Sequence, residues 1–235
     1  MNKSSVEEIR QRFDNDVERF SNLDTGQIST IDAEISLDLI TAVAKAIKPN
    51  ATHILDLGCG AGNWTLKMLS KLPDLHCTLI DLSKPMLDRA FLRVSKETEA
   101  KVEILHGDIR NISLTVNHFD IILAGAVLHH LRGDEDWEFV FTKLFNSLKE
   151  GGCLMISDLI TQDSAQLNDL IWARYGAYLE NLGGAEYRKK VLDYVEKEDS
   201  PRSLNFQFDL MKKVGFSQTE ILHKNICFAA YCGIK

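Results

Sequence analysis

Residues 53–62 read His-Ile-Leu-Asp-Leu-Gly-Cys-Gly-Ala-Gly, a mostly apolar run that ends in three alternating glycines. The apolar part has the length and composition of a buried strand. Glycines directly after a strand let the backbone turn sharply and approach a ligand closely. A helix after them would present unpaired N–H groups, where an anionic group can bind. The stretch predicts a strand, a glycine loop and a helix; a plain strand-to-helix turn is the simpler interpretation.

Strands and helices alternate from residue 52 to about 160, which is typical of a parallel sheet with crossover helices. Strands are predicted at HILDL, CTLID, VEIL, FDIILAG and GCLMISD, and helices at residues 62–71, 84–96 and 134–148. Gly151 and Gly152 are expected to form the turn that ends the third helix. The last two strands, SQTEILH and ICFAAYCGI, are too close for a parallel crossover. The expected sheet has six parallel strands and one reversed strand.

Helical segments flank this core and complete a single domain over residues 1–235. An amphipathic helix is predicted over 5–21, and a second helix stops at Pro49, so residues 1–48 form an N-terminal helical cap. The apolar faces of these helices are predicted from Val6, Ile9, Phe13, Val17 and Phe20, and from Ile35, Leu39, Ile40, Val43, Ala44 and Ile47. Helices over 163–181 and 185–199 form an insert at about 162–200, interpreted as a lid or a dimerisation element, before a helix over 202–213.

Composition restricts the function classes. Asp and Glu outnumber Lys and Arg by 34 to 27, and a net charge of −7 disfavours a nucleic-acid substrate. The five cysteines include no CxxC pair, so each is expected to be a small buried side chain. The absence of a run of about 18 apolar residues argues against a membrane span. The first residues lack the apolar core of a signal peptide, so the cytoplasm is the expected location.

Three aspartates lie at or just beyond the carboxyl ends of three successive predicted strands. Asp56 precedes the glycines, Asp81 ends the second strand, and Asp108 follows the third. The carboxyl ends of parallel strands meet at one crevice, where open α/β sheets bind ligands. A carboxylate such as Asp81 can accept hydrogen bonds from ribose hydroxyls, and Asp108 could accept one from an adenine amino group. Buried Asp56 needs a partner, for which a ligand ammonium group is suitable.

The sequence LDLGCGAG, followed by LIDLSKPML, GDI and FDIILAGAVLHHL, resembles the class I S-adenosylmethionine-dependent methyltransferases over residues 50–160. The resemblance implies a Rossmann-like seven-stranded sheet whose last strand is antiparallel. It places the methionine moiety at Gly58–Gly62, the ribose on Asp81 and the adenine between Leu82 and Ile109, with Asp56 helping to hold the amino group. Predicted cofactor contacts are Asp56, Gly58, Cys59, Gly60, Gly62, Asp81, Leu82, Met86, Asp108, Ile109 and Ala124. The spacing GxGxG disfavours a nicotinamide cofactor.

The flanking regions resemble a narrower group. Three segments are similar to the carboxy-S-adenosylmethionine synthases and their methyltransferase relatives, namely RFDNDVERF, QDSAQLNDLIWARYGAYLE and the last 22 residues. That resemblance implies a homodimer and offers a second hypothesis, an enzyme that carboxylates the cofactor itself and holds the new carboxylate with an arginine of the insert. Arg188 is a candidate for this role. A catalytically idle binding or regulatory protein is the third hypothesis. The first remains a methyltransferase that acts on a small-molecule acceptor and releases S-adenosylhomocysteine.

Few side chains are candidates for catalysis. His129, and less so His130, follow the fourth strand and could remove a proton from the acceptor near neutral pH. Arg12 is expected to lie in solvent and Phe13 in the apolar stripe of its helix. In the alternative, the helix closes over the cleft, Phe13 packs near the cofactor and Arg12 meets a carboxylate. Trp172, Tyr175 and Tyr178 could line an acceptor pocket or pack between helices, and Trp64 is expected to pack beneath the glycine loop. No histidine shows metal-ligand spacing, so no metal is predicted.

Overall fold

The computed structural model describes residues 3–22 and 26–235. The chain forms α1 (Val6–Asp14), α2 (Val17–Ser21), α3 (Ala33–Ile47), β1 (His53–Leu57), α4 (Asn63–Leu69), β2 (His76–Asp81), α5 (Lys84–Val94), β3 (Val102–His106), β4 (Phe119–Gly125), α6 (Asp134–Ser147), β5 (Leu148–Leu159), α7 (Ala165–Glu198), α8 (Leu204–Val214), β6 (Gln218–Asn225) and β7 (Phe228–Ile234). One turn of 3₁₀ helix, Leu128–His130, lies between β4 and α6.

All seven strands belong to one sheet in the order β3-β2-β1-β4-β5-β7-β6. Strand β7 runs antiparallel to both β5 and β6, and the other pairs are parallel. The predicted arrangement of six parallel strands and one reversed strand is confirmed. The chain leaves β1 toward β2 on one side and returns to β4 on the other, which opens a crevice at the carboxyl ends of these strands.

Helices cover both faces of the sheet, and each face has its own core. Helices α6 and α8 pack on one face around Trp137 and Phe141. Helices α3, α4 and α5 pack on the other face around Ile40, Met68 and Leu87. The central strands are therefore buried on both sides, which explains why they read as nearly continuous apolar runs. The cysteines are all free and buried, as expected.

The N-terminal segment differs from its prediction, because residues 5–21 form two short helices. The N–H groups of Asn15 and Asp16 bond to carbonyls three residues earlier, so a tight turn ends α1 there. Asn and Asp favour such helix ends because their side chains compete for backbone hydrogen bonds. In α3 the prediction for Ile35 was wrong. Its side chain is 54% exposed, whereas Leu37 lies in the core.

The expected turn at Gly151 and Gly152 is also wrong. Strand β5 begins directly after α6, and Gly151 lies within it with φ +66°. The register between β4 and β5 shifts between Phe119 and Ile121, so the glycines form an irregularity inside the strand.

The insert is a long helical element, α7, that bends at Gly184, where φ is +82° and ψ −179°. This confirms the two predicted helical stretches. Tyr175, Leu179 and Val191 form a third apolar cluster with Leu159 and Cys227 at the end of the sheet. Among the described residues, no helix is both long enough and apolar enough to cross a membrane.

Candidate functional site

Two adjoining cavities open at the carboxyl edge of the sheet. The first cavity is bordered by the glycine loop after β1, by residues at the ends of β2, β3 and β4, and by the inner faces of α1 and α2. The second cavity lies beside it, between α1, the end of β5 and the insert α7. Phe13, Phe20, Trp64, Ala126 and His130 line both. The shared wall makes them neighbouring compartments of one site.

Most of the predicted cofactor residues line the first cavity, namely Gly58, Cys59, Gly60, Asp81, Leu82, Met86, Asp108 and Ile109. Asp56, Gly62 and Ala124 are not among its lining residues. Asp56 and Ala124 are almost fully buried in the sheet, and Gly62 caps α4. The structure thus brings two of the three aspartates to the cavity and places the third below it.

Asp81 lies at the rim of the first cavity where β2 ends. Its carboxylate accepts hydrogen bonds from the N–H groups of Gly60 and Ser83, both at 2.8 Å. Burial raises the pKa of Asp81 to about 6, although these bonds act in the opposite direction. The side chain therefore links the glycine loop to β2 and retains acceptor capacity toward the cavity.

Asp56 joins β1 to α4 beneath the loop. One carboxylate oxygen accepts hydrogen bonds from the Thr65 hydroxyl at 2.6 Å and the Thr65 N–H at 3.2 Å. Burial raises the pKa of Asp56 to about 7. Its other oxygen, Oδ1, has no hydrogen-bond partner among the described residues. Because Asp56 does not line the cavity, its influence on a bound ligand would pass through Thr65.

Asp108 is held by a residue that the sequence did not single out. The Arg110 Nε donates to Asp108 Oδ1 at 3.0 Å, and Arg110 also donates to Asp136 at 3.0 Å. Burial alone would raise the pKa of Asp108, but the bonds from Arg110 outweigh it and the pKa is lowered. An ionised Asp108 is therefore fixed at the cavity wall.

Gly58 has a position that no other residue can occupy without a change. Its φ is +65°, in the left-handed region, and an added Cβ would lie 2.5 Å from Cγ2 of Val127. Gly60 is also left-handed, with φ +51°, but an added Cβ would meet no atom within 4 Å. The first glycine is required by backbone geometry and packing, the second by backbone geometry alone.

Trp64 packs in the core with Cys59 of the glycine loop and also lines both cavities. The indole is buried, lines both cavities and lies against Gly125 at the end of β4. A Cβ on Gly125 would stand 2.1 Å from the indole Nε1, so this close approach requires glycine. The predicted packing of Trp64 is confirmed, and the indole also lines both cavities.

His129 lines the second cavity and is oriented by Asp158, at the end of β5. Its Nδ1 bonds to Asp158 Oδ1, and Asp158 Oδ2 accepts from the Leu128 N–H at 2.8 Å. Burial lowers the pKa of His129, but the carboxylates of Asp158 and Asp199 outweigh burial and raise it to about 9. The imidazole is therefore protonated at neutral pH in the unliganded chain. Burial and this neighbouring charge lower the pKa of His130.

Helix α1 closes over both cavities. Phe13 lies in the wall that they share, and Arg12 pairs with Glu198 at the end of α7, with 2.6 Å between guanidinium and carboxylate. The expectation that Arg12 lies in solvent was wrong. The alternative, in which this helix covers the cleft and Arg12 meets a carboxylate, is confirmed. The contact between Arg12 and the insert therefore helps to hold the short helix α1 over the cavities.

The aromatic stripe of the insert divides between packing and the second cavity. Tyr175 lines the cavity, and its hydroxyl donates to the Ser29 carbonyl at 3.0 Å. The Tyr178 hydroxyl donates to the Ile28 carbonyl at 3.1 Å, and the Trp172 indole to Asn168 at 3.1 Å. The stripe therefore ties the insert to the segment before α3 and supplies one ring to the cavity.

Sequence reasoning missed Asp158 and Asp199, which line the second cavity. Asp158 could have been found by the rule applied to Asp81, because it lies near the carboxyl end of a parallel strand. No comparable signal marks Asp199, which directly follows α7 and reaches the site only through the packing of the insert.

Comparison with known proteins agrees with this geometry. Residues 54–152 match the family described as methyltransferase domain. The chain is 27% identical to a carboxy-S-adenosyl-L-methionine synthase of Mannheimia succiniciproducens, over 84% of each chain. It is 26% identical to a demethylmenaquinone methyltransferase of Listeria welshimeri, over 78% of each. The resemblance read from the glycine loop and the following strands is confirmed.

Solved structures share the fold at low sequence identity. The N-methyltransferase NodS from Bradyrhizobium japonicum, in complex with S-adenosyl-L-homocysteine, superposes with a TM-score of 0.66 at 14% identity, covering 96% of this chain and 97% of that one. Human N-acetylserotonin methyltransferase in complex with SAM gives 0.65 at 15% identity, over 99% of this chain and 59% of that one. The architecture around the two cavities is thus a recurrent one.

Proposed function

We propose that the chain transfers the methyl group of S-adenosylmethionine to a small-molecule acceptor. The premise is that residues 54–152 match the methyltransferase domain family and that the chain shares its fold with S-adenosylmethionine-dependent methyltransferases. One observation carries the proposal: a cavity lined by the glycine loop, Asp81 and Asp108 shares a wall with a second cavity. A donor in the first cavity would face an acceptor in the second.

In this proposal each predicted residue has a part. Asp81 accepts from the ribose hydroxyls, while Leu82 and Ile109 flank the adenine near Asp108. The loop from Gly58 to Gly62, with Cys59 and Gly60, surrounds the methionine moiety. Met86 contributes apolar contact, and Asp56 and Ala124 support the loop and the floor from within the sheet. The chain's acidic charge supports a small acceptor over a nucleic acid.

The protein's contribution to methyl transfer would be alignment. The acceptor atom attacks the methyl carbon as the carbon–sulfur bond breaks, which leaves S-adenosylhomocysteine. Holding the two reactants in line can lower the barrier by as much as about 7–11 kcal/mol. His129 is proposed as the catalytic side chain that contacts the acceptor. Because its ring carries a proton near neutral pH, it would first donate a hydrogen bond and act as a base only after losing that proton.

Calorimetry on the purified chain tests the cofactor half of the proposal. S-adenosylmethionine and S-adenosylhomocysteine should both bind with one site per chain. Asp81→Ala should weaken binding about 100-fold, because the ribose hydroxyls lose two hydrogen bonds to an ionised carboxylate. Asp88→Ala, on the exposed face of α5, is the matched control and should bind normally. Absence of binding by the folded wild-type chain would refute the proposal.

The synthase is the second candidate, favoured by the relatives that bear that name. Arg188, its candidate carboxylate ligand, pairs with Glu180 at 2.8 Å and lines neither described cavity. Mass spectrometry of the copurifying nucleoside separates the candidates, because a carboxylated cofactor supports the synthase and an unmodified one the methyltransferase. Tight binding with no turnover of any amine, hydroxyl, thiol or carbon acid would indicate an idle binding protein. The homodimer and the cytoplasmic location remain predictions.

A further inference from the structure

We propose that His129, His130 and Asp199 bind a divalent transition-metal ion, such as Zn²⁺, in the wall of the second cavity. One nitrogen of each imidazole and one oxygen of the carboxylate lie within 4.8 Å of one another. All three residues line that cavity. The two histidines are adjacent in sequence, whereas Asp199 comes from the far end of the insert, so spacing alone predicted no metal.

The separations between the potential ligand atoms suit a small cation. Asp199 Oδ1 is 3.7 Å from His129 Nε2 and 3.2 Å from His130 Nδ1. Two ligands that each lie about 2.1 Å from a tetrahedral zinc ion are about 3.4 Å apart. The nitrogens of the two imidazoles lie within 4.8 Å of each other, so they would need to approach by at most about 1.4 Å to share one ion.

Asp199 and His130 have buried polar atoms without hydrogen-bond partners among the described residues. Asp199 is 4% exposed, and its Oδ1 has no hydrogen-bond partner among the residues that the structure describes. Neither ring nitrogen of His130 has one within that part of the chain, although His130 Nδ1 lies 3.2 Å from Asp199 Oδ1. Buried polar atoms without partners are costly, and one cation would satisfy Asp199 Oδ1 and one of the two His130 ring nitrogens.

Asp158 supplies the support that metal-binding histidines usually have. It bonds to Nδ1 of His129 and leaves Nε2 directed toward Asp199. A carboxylate on the second ring nitrogen fixes the tautomer and strengthens the imidazole as a ligand. Asp158 is itself fixed by the N–H of Leu128. Arg12, the nearby guanidinium, is paired with Glu198, so it does not take the carboxylate of Asp199.

Two imidazoles and one carboxylate leave coordination positions open, as catalytic metal sites do. Because the site faces the second cavity, an acceptor hydroxyl could bind there; this step rests on the proposed function. The cation would lower the pKa of that hydroxyl. Its proton would pass to water, the oxygen would form a bond to the methyl carbon, and the carbon–sulfur bond would break to give S-adenosylhomocysteine. The acceptor class is then an oxygen nucleophile that binds a metal, with His129 as a ligand rather than a base.

Metal titration of the full chain, freed of metal with a chelator, tests the site. Titration with ZnCl₂, followed by calorimetry, should show that one ion binds per chain. Titration with CoCl₂ should give a visible absorption spectrum typical of Co²⁺ with nitrogen and oxygen ligands. Thiolate bands in the Co²⁺ spectrum would overturn the proposal by placing the ion at a cysteine. Absence of stoichiometric binding would also overturn it and would leave the cluster as an ion pair of His129 with its carboxylates.

Matched variants locate the ion. Asp199→Asn should weaken Zn²⁺ binding more than about tenfold. Asp158→Asn should weaken it by about 10- to 100-fold, because His129 Nδ1 loses its carboxylate partner. Asp32→Asn is the control, because Asp32 also pairs with a histidine, His223 at 2.8 Å, and neither residue is in the lining of the two cavities. Equal weakening in Asp199→Asn and Asp32→Asn, or none in Asp199→Asn, would contradict the site.

Binding of S-adenosylhomocysteine to the same samples shows that the variants fold. The same measurement separates this inference from the proposed function. Binding of S-adenosylhomocysteine without binding of zinc refutes only the metal site. Zinc binding without nucleoside binding refutes only the methyltransferase proposal.

Discussion

At the scale of a single residue, the ionisation of Asp81 should make the binding of S-adenosylhomocysteine depend on pH. Its pKa in the folded chain is about 6, above the ordinary 3.8, so its contribution to stability declines as the pH rises from about 4 to 6. Binding should show the opposite dependence, because ribose hydroxyls donate to the ionised carboxylate. The dissociation constant of S-adenosylhomocysteine should rise about tenfold per pH unit below 6.

Calorimetry between pH 5 and pH 8 checks this expectation. Asp81→Asn should bind weakly and without the slope. Asp56→Asn should retain the slope, because Asp56 is bonded to Thr65 and lies outside the cavity lining. A slope that disappears in Asp56→Asn and persists in Asp81→Asn would show that the wrong carboxylate has been assigned.

Two glycines of the loop allow steric overlap to be separated from backbone strain. Gly60→Ala should cost about 1–2 kcal/mol of unfolding free energy, since alanine disfavours the left-handed region. Gly58→Ala should cost about 1–3 kcal/mol more, because its Cβ would overlap Val127. Urea denaturation measures both, and Val127→Ala added to Gly58→Ala should recover part of the difference. Equal losses in the two single variants would mean that the overlap relaxes freely.

At the scale of elements, α1 depends on the insert for its position. Arg12→Ala should expose α1, because Glu198 would remain buried without its partner. Faster hydrogen exchange over residues 6–14 and weaker nucleoside binding are expected. Arg10→Ala is the control on the same helix, since the partners of Arg10 among the described residues are Glu7 and Asp14 of α1. Unchanged exchange in Arg12→Ala would show that the ion pair is not what holds the helix.

The strand and helix order of the core could be predicted, because burial on both faces and the turn glycines leave local patterns. The ends of elements could not. Asn15 and Asp16 break α1 from α2, and Gly151 falls inside β5, through hydrogen bonds and registers that depend on neighbours in space. Asp81 and Asp108 were found because parallel strands align their ends. Asp199 was not, because its position depends on how α7 packs.

At the scale of the whole molecule, the predicted homodimer has a candidate surface on the insert. Leu167 and Leu170 are 56% and 53% exposed on α7. Sedimentation velocity should give twice the monomer mass, and Leu167→Glu with Leu170→Glu should give monomers. Leu92→Glu, at a leucine of α5 that is 60% exposed, should leave the dimer intact. A monomeric wild-type chain would contradict the prediction.

The lining that α1 and α2 give to both compartments also bears on the order of events during turnover. In the proposed reaction, donor and acceptor would both lie under this pair of helices. Opening of that cover would then accompany each cycle, and such a motion can be slower than the chemical step. Steady-state rates would report helix motion, whereas single-turnover experiments would report bond making.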